Sequence, residues 1–300
     1  MRIALITVTR NDDFRFEEWC SYYNDYKDDI YLHIIVDDAS EPEYVDRIKS
    51  YFTSSVVIER KVNGGSNAAV NDGLKYALKD PEVDAIMVLD NDIKCSTGFF
   101  PTLHSFLFSD DKLGMVGPIV LRKDSNIIED YGVTIRLLTT SMNEQGGSLE
   151  DIPEGDERYV DAIAGGITMA KRSFYETVGL QDETIFMYCD ERDMCYRARK
   201  FGYKMGVTKN AVSWHQHILG KSAGKKLRSD FLIARNRVYL QKKYLGKGKA
   251  YLSAMYAVLA LTKKLIFNAS DSSFKLLYRE RIEGIKNGIT NNMSNDEVWM

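Results

Sequence analysis

The first two hundred residues alternate between short apolar runs and longer segments whose apolar positions have helical spacing. Apolar runs of strand length occur at residues 2–8, 31–38, 54–60, 84–92 and 114–122. An amphipathic segment at residues 16–26 separates the first two runs. This alternation predicts an α/β fold with a mixed, mostly parallel sheet flanked by helices.

The pattern changes after the fifth apolar run. Residues 124–158 are polar and contain glycine, which predicts a long loop or an irregular hairpin. Residues 160–179 predict a strand, a turn and a short helix, and residues 186–203 predict a charged helix that leads into a strand. From about residue 222 onward, apolar residues recur at helical spacings, so this part is predicted to be helical.

Charge separates the same two regions. Residues 1–220 hold 24 Lys and Arg against 37 Asp and Glu, a net charge of −13, whereas residues 221–300 hold 16 against 6, a net charge of +10. We therefore divide the chain into an α/β domain at 1–220 and a basic helical extension at 221–300, for which an anionic partner is expected. The longest uncharged stretch of the extension, residues 250–262, has 13 residues. Since roughly 18 to 20 residues are needed to span a bilayer, this stretch could lie on a membrane but should not cross it.

Composition sets further bounds. With 44% hydrophobic and 28% charged residues, the chain is neither disordered nor fibrous. The first residues, MRIALITVTR, have the pattern of a strand and not of a secretory signal, so we expect a cytoplasmic protein, in peripheral contact at most with the inner face of the membrane. Its four cysteines include no CxxC pair and are expected to be free thiols. No nucleic-acid partner is expected, and the oligomeric state is not readable.

Polar residues follow the predicted strands. Ligands of open α/β sheets gather where strands end, so these residues should converge on one cleft. They are Thr9, Asp37, Asp38, Asn63, Asp90 and Asp92.

The fourth apolar run stops at Asp90-Asn91-Asp92. Two carboxylates at a strand end offer hard oxygen ligands to Mg²⁺ or Mn²⁺. The alternative is a turn in which Asp and Asn bond to their own backbone. These residues alone do not decide between the two.

Two histidines follow a short strand in a chain with only four histidines. A single histidine in such a place is most often solvated or packed. With metal-type carboxylates expected in the same cleft, we favour His215 as a third ligand, with His217 as the reserve.

Acidic residues open the charged helix at residues 186–203. Asp190, Glu191 and Asp193 could simply stabilise the positive end of the helix dipole. The functional alternative is a general base that accepts a proton from a substrate hydroxyl.

The segment NGGSNAAVN at residues 63–71 combines a glycine turn with the start of a helix. Such a turn allows the backbone to approach a phosphate. It lacks the GK[ST] ending of a P-loop and the GxGxxG pattern of dinucleotide sites, so by itself it is a weak signal.

Taken in chain order, these segments resemble the family 2 glycosyltransferases, inverting enzymes with the GT-A fold, and in particular rhamnosyltransferase-like and galactofuranosyltransferase-like members. The segments are LITVTRND, IIVDDAS, NGGSNAAVNDGLKYAL, VLDND, AGGITMAKRSFYETVGLQDE, FMYCDERDMCYRARKFGY, AVSWHQHILGKS and RNRVYLQKKY. They span roughly residues 1–245. Each motif is loose, but the ordered set is specific.

The resemblance implies roles for the matching residues. The nucleotide would be bound by Thr7, Thr9, Asp37, Asp38, Asn63, Gly64 and Asn91. Mn²⁺ or Mg²⁺ would be held by Asp90, Asp92 and His215, with Asp92 as the more direct ligand and Asp90 on ribose or a metal-bound water. The acceptor side would include Gly165, Gly166 and Asp193.

One departure from the family concerns the base. The family usually has Glu-Asp with the second residue as base, whereas this chain has Asp190-Glu191. By register Glu191 is the candidate, but Glu is one methylene longer than Asp, so Asp190 is kept as the alternative.

The implied reaction moves a hexose or deoxyhexose from a UDP- or dTDP-sugar to a hydroxyl of a saccharide acceptor, lipid-linked in our expectation, during surface polysaccharide synthesis. The rival hypotheses are a sugar-1-phosphate nucleotidyltransferase and a non-catalytic nucleotide-sugar-binding protein. A nucleotidyltransferase would be expected to carry a Gly-rich, Arg-containing loop after its first strand, where this chain has TVTRNDD.

Overall fold

A computed structural model of the protein describes residues 1–135, 140–163, 165–216, 223–268 and 270–294. The strands are β1 (Ile3–Thr9), β2 (Leu32–Asp37), β3 (Val56–Glu59), β4 (Ala85–Leu89), β5 (Ile93–Cys95), β6 (Leu113–Arg122), β7 (Ile128–Asp130), β8 (Val133–Ile135), β9 (Thr140–Met142), β10 (Glu157–Val160), β11 (Ile167–Lys171) and β12 (Lys204–His215). The helices are α1 (Phe16–Tyr26), α2 (Pro42–Tyr51), α3 (Ser66–Ala77), α4 (Phe99–Leu107), α5 (Arg172–Val178), α6 (Asp190–Lys200), α7 (Ala223–Leu245), α8 (Lys247–Phe267) and α9 (Ser272–Thr290). The five predicted apolar strands are confirmed.

The main sheet has the strand order β10-β12-β6-β11-β4-β1-β2-β3. Strands β4, β1, β2 and β3 run parallel, and so do β6 and β12. Strand β11 is antiparallel to both of its neighbours, so its first residue, Ile167, pairs with Leu89 at the end of β4. The start of β11 therefore meets the carboxyl ends of the parallel strands, where ligands are expected.

Helices cover both faces of the sheet because its strands are apolar on both sides. On one face the core includes Leu74 of α3, Phe174 of α5 and Met194 of α6. On the other it includes Trp19 of α1 and Phe100 of α4. The α/β prediction is thus confirmed as a mixed sheet between two helical layers.

Residues 124–158 are more regular than predicted. They contain the β8–β9 hairpin, which matches the expected irregular hairpin, but also β7, which pairs with β6. Strand β10, at the end of this segment, pairs with β12. The short strands carry no readable alternation because three or four residues are too few to show a period.

Helices α7, α8 and α9 pack on one another, and α7 also contacts the segment that precedes α6. The side-chain amide of Asn236 in α7 donates to the carbonyls of Met187 and Tyr188, at 2.8 and 2.9 Å. Lys243 of α7 forms ion pairs of 2.7 Å with Asp182 and with Asp193. The helical extension therefore supports the start of α6, although the boundary at residue 220 stays a prediction.

Helix α8 is longer than the uncharged stretch from which the sequence analysis judged whether the extension could span a bilayer. Its 21 residues, with a mean hydropathy of 1.3 over an 18-residue window, make it long and apolar enough to cross a membrane, whereas the uncharged stretch alone was too short. Only 22% of that window is buried inside the protein. One side of α8 nevertheless packs on the neighbouring helices, through Ala250, Ser253, Ala254 and Leu261.

Candidate active site

The carboxyl ends of β1 and β4 form the floor of the candidate site. Thr9 ends β1, and its hydroxyl shares a 2.5 Å hydrogen bond with the Tyr44 hydroxyl. The amide of Asn91 donates to Thr9 Oγ1 at 3.3 Å and to Asp12 Oδ2 at 3.0 Å. The predicted residue Thr7 lies inside β1 and is buried. Asn91 thus ties the β4 end to the loop after β1.

The two aspartates after β2 differ in their surroundings. Asp37 accepts a hydrogen bond from the Ser40 backbone N–H through Oδ2. Its Oδ1 is buried and has no hydrogen-bond partner among the described residues. A buried carboxylate oxygen in this condition is costly, which is typical of a site that waits for a ligand. This observation agrees with the predicted role of Asp37.

Asp38 instead holds the glycine turn. Its carboxylate accepts the backbone N–H groups of Gly64 and Gly65, both at 3.0 Å, and pairs with Arg60 at 2.9 Å. Burial raises the pKa of Asp38, and these donors oppose that rise. Asn63 also accepts from the Gly65 N–H, at 3.1 Å. The turn is therefore fixed before any ligand arrives.

Gly65 allows this turn to touch the segment before α6. It has φ +83°, and a Cβ at this position would collide with the Phe186 carbonyl oxygen. Only glycine accepts both the backbone angle and the contact. The start of α3 and the approach to α6 consequently form two walls of one cleft.

Asp92 and His215 are two of the three residues expected to bind a metal, together with Asp90. Nε2 of His215 lies 3.4 Å from Asp92 Oδ2, and its Nδ1 lies 2.9 Å from Glu129 Oε1. Burial alone would lower the pKa of His215, but the two carboxylates raise it to about 9. The imidazole is therefore protonated in this arrangement, and binding of a metal requires loss of that proton.

Arg15 also contacts Asp92. Burial opposes ionisation of this carboxylate, yet His215 and Arg15 lower the pKa of Asp92 overall. The cationic side chains of Arg15 and His215 thus both contact Asp92, where a divalent cation is expected. Asp92 is therefore at a position that attracts cations.

Asp90 lies against the start of β11. Its backbone N–H donates to the Gly166 carbonyl at 2.8 Å. Gly166 has φ +73°, and a Cβ there would collide with Asp90 Oδ2. Enclosure by the cleft walls and the charge of Asp92 raise the pKa of Asp90, although the side chain still faces water in the cleft.

Asp190 and Glu191 lie beside Gly165, the residue that precedes Gly166. A Cβ on Gly165 would lie 3.0 Å from Glu191 Oε2 and 3.9 Å from Asp190 Oδ2. Burial and the neighbouring Asp190 raise the pKa of Glu191 to about 8. The pKa of Asp190 is also raised, by burial first. Both acids thus lie beside Gly165, and each can act as a base only in its ionised form, which for Glu191 predominates above about pH 8.

The two residues before Asp190 have an unusual backbone conformation. Tyr188 and Cys189 have φ +69° and +65°, in the left-handed region that non-glycine residues avoid. Asn236 from α7 holds the carbonyls of Met187 and Tyr188. The long-range contact therefore maintains the conformation that aims the start of α6 into the cleft.

Asp193 corrects one prediction. It was expected on the acceptor side, but it is fully buried and faces the C-terminal helices. Its carboxylate accepts from Tyr244 at 2.6 Å, from Lys243 at 2.7 Å and from Arg197 at 2.9 Å. Asp193 follows Glu191 by two residues, a spacing at which two side chains of a helix do not share a face. Its carboxylate is therefore directed to partners other than the cleft.

Sequence reasoning missed Arg15, Glu129 and Asp130. Asp130 is buried, accepts from the Gly132 N–H at 2.8 Å, and burial raises its pKa to about 6. Both acids lie in the stretch predicted as a loop, where no pattern pointed inward. Arg15 lies in a polar segment after β1 and carried no motif. His217 lies outside the described residues.

The fit to a divalent cation is partial. Among the described residues, no group of three or more His, Cys, Asp or Glu side chains has the spacing of a ready-made metal centre. Mg²⁺-type sites commonly use one or two carboxylates and take further ligands from substrate phosphates and water. Asp92 and His215, with Asp90 nearby, fit that kind of open site.

The fold is that of the GT-A glycosyltransferases. Residues 24–152 match the sequence model of the family described as Glycosyl transferase family 2. The chain is also 22% identical, over 218 residues, to the low-salt glycan biosynthesis hexosyltransferase Agl10 of Haloferax volcanii, covering 71% of this chain and 68% of that protein. Residues 24–152 therefore match a glycosyl transferase family 2 domain, and the resemblance first noted in the motifs is confirmed.

Solved structures agree on the fold. The mannosyltransferase PcManGT of Pyrobaculum calidifontis, in complex with GDP-Man and Mn²⁺, aligns with a TM-score of 0.60 and 13% identity over 98% of this chain and 88% of that chain. GalNAc-T7 with UDP, GalNAc and Mn²⁺ aligns with a TM-score of 0.61 and 13% identity, over 97% of this chain but only 56% of that one. The second protein is thus considerably longer than the shared region.

Proposed function

We propose that the protein is a metal-dependent inverting glycosyltransferase that uses a UDP- or dTDP-sugar and a saccharide acceptor. The observation that carries this proposal is that Asp190 and Glu191 lie beside Gly165 while Asp90 lies against the adjacent Gly166. A base candidate and a cation-attracting carboxylate pair then share one cleft. That arrangement suits single displacement, in which no covalent enzyme intermediate forms.

The proposed reaction is a single displacement at the anomeric carbon of the donor sugar. Glu191, or Asp190, accepts the proton of the acceptor hydroxyl while its oxygen bonds to the anomeric carbon. The bond from that carbon to the diphosphate oxygen breaks, and the nucleoside diphosphate leaves with the electron pair. A cation bound at Asp92 and His215 would supply charge neutralisation for this leaving group. Attack opposite the leaving group inverts the anomeric centre.

The donor site is proposed at the ends of β1 and β2. The buried, unpartnered Oδ1 of Asp37 would receive a hydrogen bond from the base or ribose of the nucleotide. Asn63 and Gly64 would lie over the nucleotide, in a turn already held by Asp38. Bound nucleotides and Mn²⁺ in the structural neighbours support a site of this kind. Hexose or deoxyhexose as the sugar, and surface polysaccharide synthesis on a lipid-linked acceptor as the setting, remain part of the proposal.

The first test is a thermal-shift screen of UDP-, dTDP- and GDP-sugars with and without Mn²⁺. A donor should raise the Tm more with Mn²⁺ than without it, and Asp92→Asn should abolish this difference. The matched control is Asp28→Asn, the same substitution at an exposed aspartate outside the Asp90-Asn91-Asp92 motif. If no sugar nucleotide stabilises the folded protein, the proposal is wrong.

The second test separates an enzyme from a binding protein. Release of nucleoside diphosphate from the stabilising donor is measured with simple saccharide acceptors and with water alone. Turnover that depends on Asp92 supports the transferase. Metal-dependent binding without any release, from the donor that binds best, would favour the non-catalytic sugar-nucleotide binder.

A further inference from the structure

Helix α8 carries an exposed apolar stripe. Its members recur at spacings of three, four and seven residues, and Leu259 and Phe267 are 62% and 78% exposed. We call this set the α8 face: Leu252, Met255, Tyr256, Leu259, Ile266 and Phe267. A helix on the surface of a soluble protein normally turns polar residues to this side. A contiguous apolar stripe of this kind marks a contact surface.

The charges around the α8 face have one sign. Residues 247–267 contain no Asp or Glu, and they include Lys247, Lys249, Lys263 and Lys264. These four lysines lie at the two ends of the helix and are exposed. An apolar strip with lysines at both ends matches a surface that is apolar inside and anionic at its headgroups.

Helix α9 extends the basic rim. Lys275 and Arg279 are exposed near its start, and Leu276 is exposed between them. Among the acids nearby, Asp271 accepts the backbone N–H groups at the start of α9, Glu283 pairs with Lys286, and Glu280 follows Arg279 in the sequence. Lysine and arginine side chains thus remain in excess along the rim of the two helices.

We propose that the α8 face binds an anionic lipid bilayer, with the helix lying in the plane of the membrane. Packing of Ala250, Ser253, Ala254 and Leu261 against the helical bundle argues against insertion across the bilayer, since crossing would break that core. A second copy of the chain is a poorer occupant. A twofold dimer through this face would bring its lysines together without acidic partners.

Membrane contact at α8 is one helix away from the candidate base. Helix α7 packs against α8, and its Asn236 and Lys243 contact residues 182–193. Docking would therefore hold the cleft near the bilayer surface. This inference rests on the proposed function, because it adds a membrane to the partners of the proposed transferase. Binding of the α8 face to a bilayer itself requires neither donor nor metal.

The test is co-sedimentation of the full chain with large unilamellar vesicles, in the absence of donor and metal. Vesicles of phosphatidylcholine with phosphatidylglycerol as the minor, anionic component should bind the protein, and pure phosphatidylcholine should bind it far more weakly. Leu259→Ser with Phe267→Ser should reduce partitioning by at least about 30-fold, because two anchoring side chains are lost. Phe201→Ser, at a phenylalanine 57% exposed outside these helices, should leave binding unchanged.

Charge variants give the second arm. Lys263→Gln and Lys264→Gln should each weaken binding to the anionic vesicles by about fivefold, and added salt should weaken it further. Circular dichroism and the Tm confirm that each variant is folded. Equal binding by the Leu259→Ser, Phe267→Ser variant overturns the proposal. So does a dimer in light scattering that this variant converts to a monomer, since the α8 face would then join two copies of the chain.

Discussion

Glu129 Oε1 lies 2.9 Å from Nδ1 of His215, and the opposite ring nitrogen of that histidine lies 3.4 Å from Asp92 Oδ2. A carboxylate on one nitrogen fixes the ring so that the other nitrogen faces the cleft. Carboxylates in this position commonly orient metal-binding histidines. Glu129 is thus a positioning residue for the proposed cation site.

Replacing Glu129 should weaken Mn²⁺ binding. Glu129→Ala should raise the Kd for Mn²⁺, measured by electron paramagnetic resonance with donor present, by about 10- to 100-fold. Glu129→Gln should lose less, since its amide oxygen still accepts from Nδ1. The Tm of both variants serves as the folding control. An unchanged Kd in the alanine variant would remove Glu129 from this role.

The two acids at the start of α6 should differ in their kinetic effects. Glu191→Gln should lower kcat by about 10²- to 10⁴-fold if Glu191 is the base, with little change in donor binding. Asp190→Asn should then cost much less. Donor affinity from calorimetry shows whether the cleft is intact. Full activity of Glu191→Gln would transfer the role to Asp190.

Gly166 and Gly155 provide a matched pair. They have φ +73° and +70°, but a Cβ at Gly166 would collide with Asp90 Oδ2, whereas Gly155 has nothing within 4 Å. Each alanine substitution should cost about 1 kcal/mol of stability from the backbone angle. Only Gly166→Ala should also lose at least about tenfold in turnover, because Asp90 must move. Equal turnover in the two variants would show that the position of Asp90 is unimportant.

Asp193 should matter for stability and not for acceptor binding. Asp193→Ala removes the carboxylate partner of Arg197 and one of the two carboxylate partners of Lys243, which keeps Asp182, so it should lower the free energy of unfolding by about 1.5–3 kcal/mol. Denaturant titration measures this loss. Below the melting range, the KM for the acceptor should be unchanged. A stable variant with a raised acceptor KM would restore the original acceptor-side prediction.

His33 should make folding sensitive to acid. Burial lowers its pKa from the ordinary 6.5 to about 3, so the unfolded chain binds a proton that the folded chain excludes. Stability is thus fully present above the ordinary pKa and falls by about 1.4 kcal/mol per pH unit as the pH drops toward the lowered one. Urea titrations of wild type and His33→Phe between about pH 4 and 7, inside this window, measure the slope. The phenylalanine variant should show a smaller slope, and an identical slope would assign the effect to other groups.

Much of the fold could be predicted from the sequence. The apolar runs that became β1, β2, β3, β4 and β6 are long enough for a pattern to show, and strand ends in such sheets gather at one edge. Thr9, Asp37, Asp90 and Asp92 were assigned to that edge in this way. The strands β7 to β10 were missed as separate elements because they are only three or four residues long.

The roles of individual acids were less predictable. Asp193 lies close to Asp190 and Glu191 in the sequence, yet its three partners include two side chains from α7. Capping, catalysis and packing all favour Asp or Glu at the start of a helix, so residue type cannot distinguish them. The contacts of each carboxylate make that distinction.

The sequence by itself determined the strand and helix periodicity, the ordered motifs of the family and the acids placed where strands and helices end. The tertiary structure alone decided which of these groups meet. Glu129 and His215 are 86 positions apart, and Asp90 reaches Gly166 only because β11 runs antiparallel to β4. Local patterns report the periodicity of one segment, whereas the cleft depends on strand order and register between distant segments. Those are set by packing over the whole sheet.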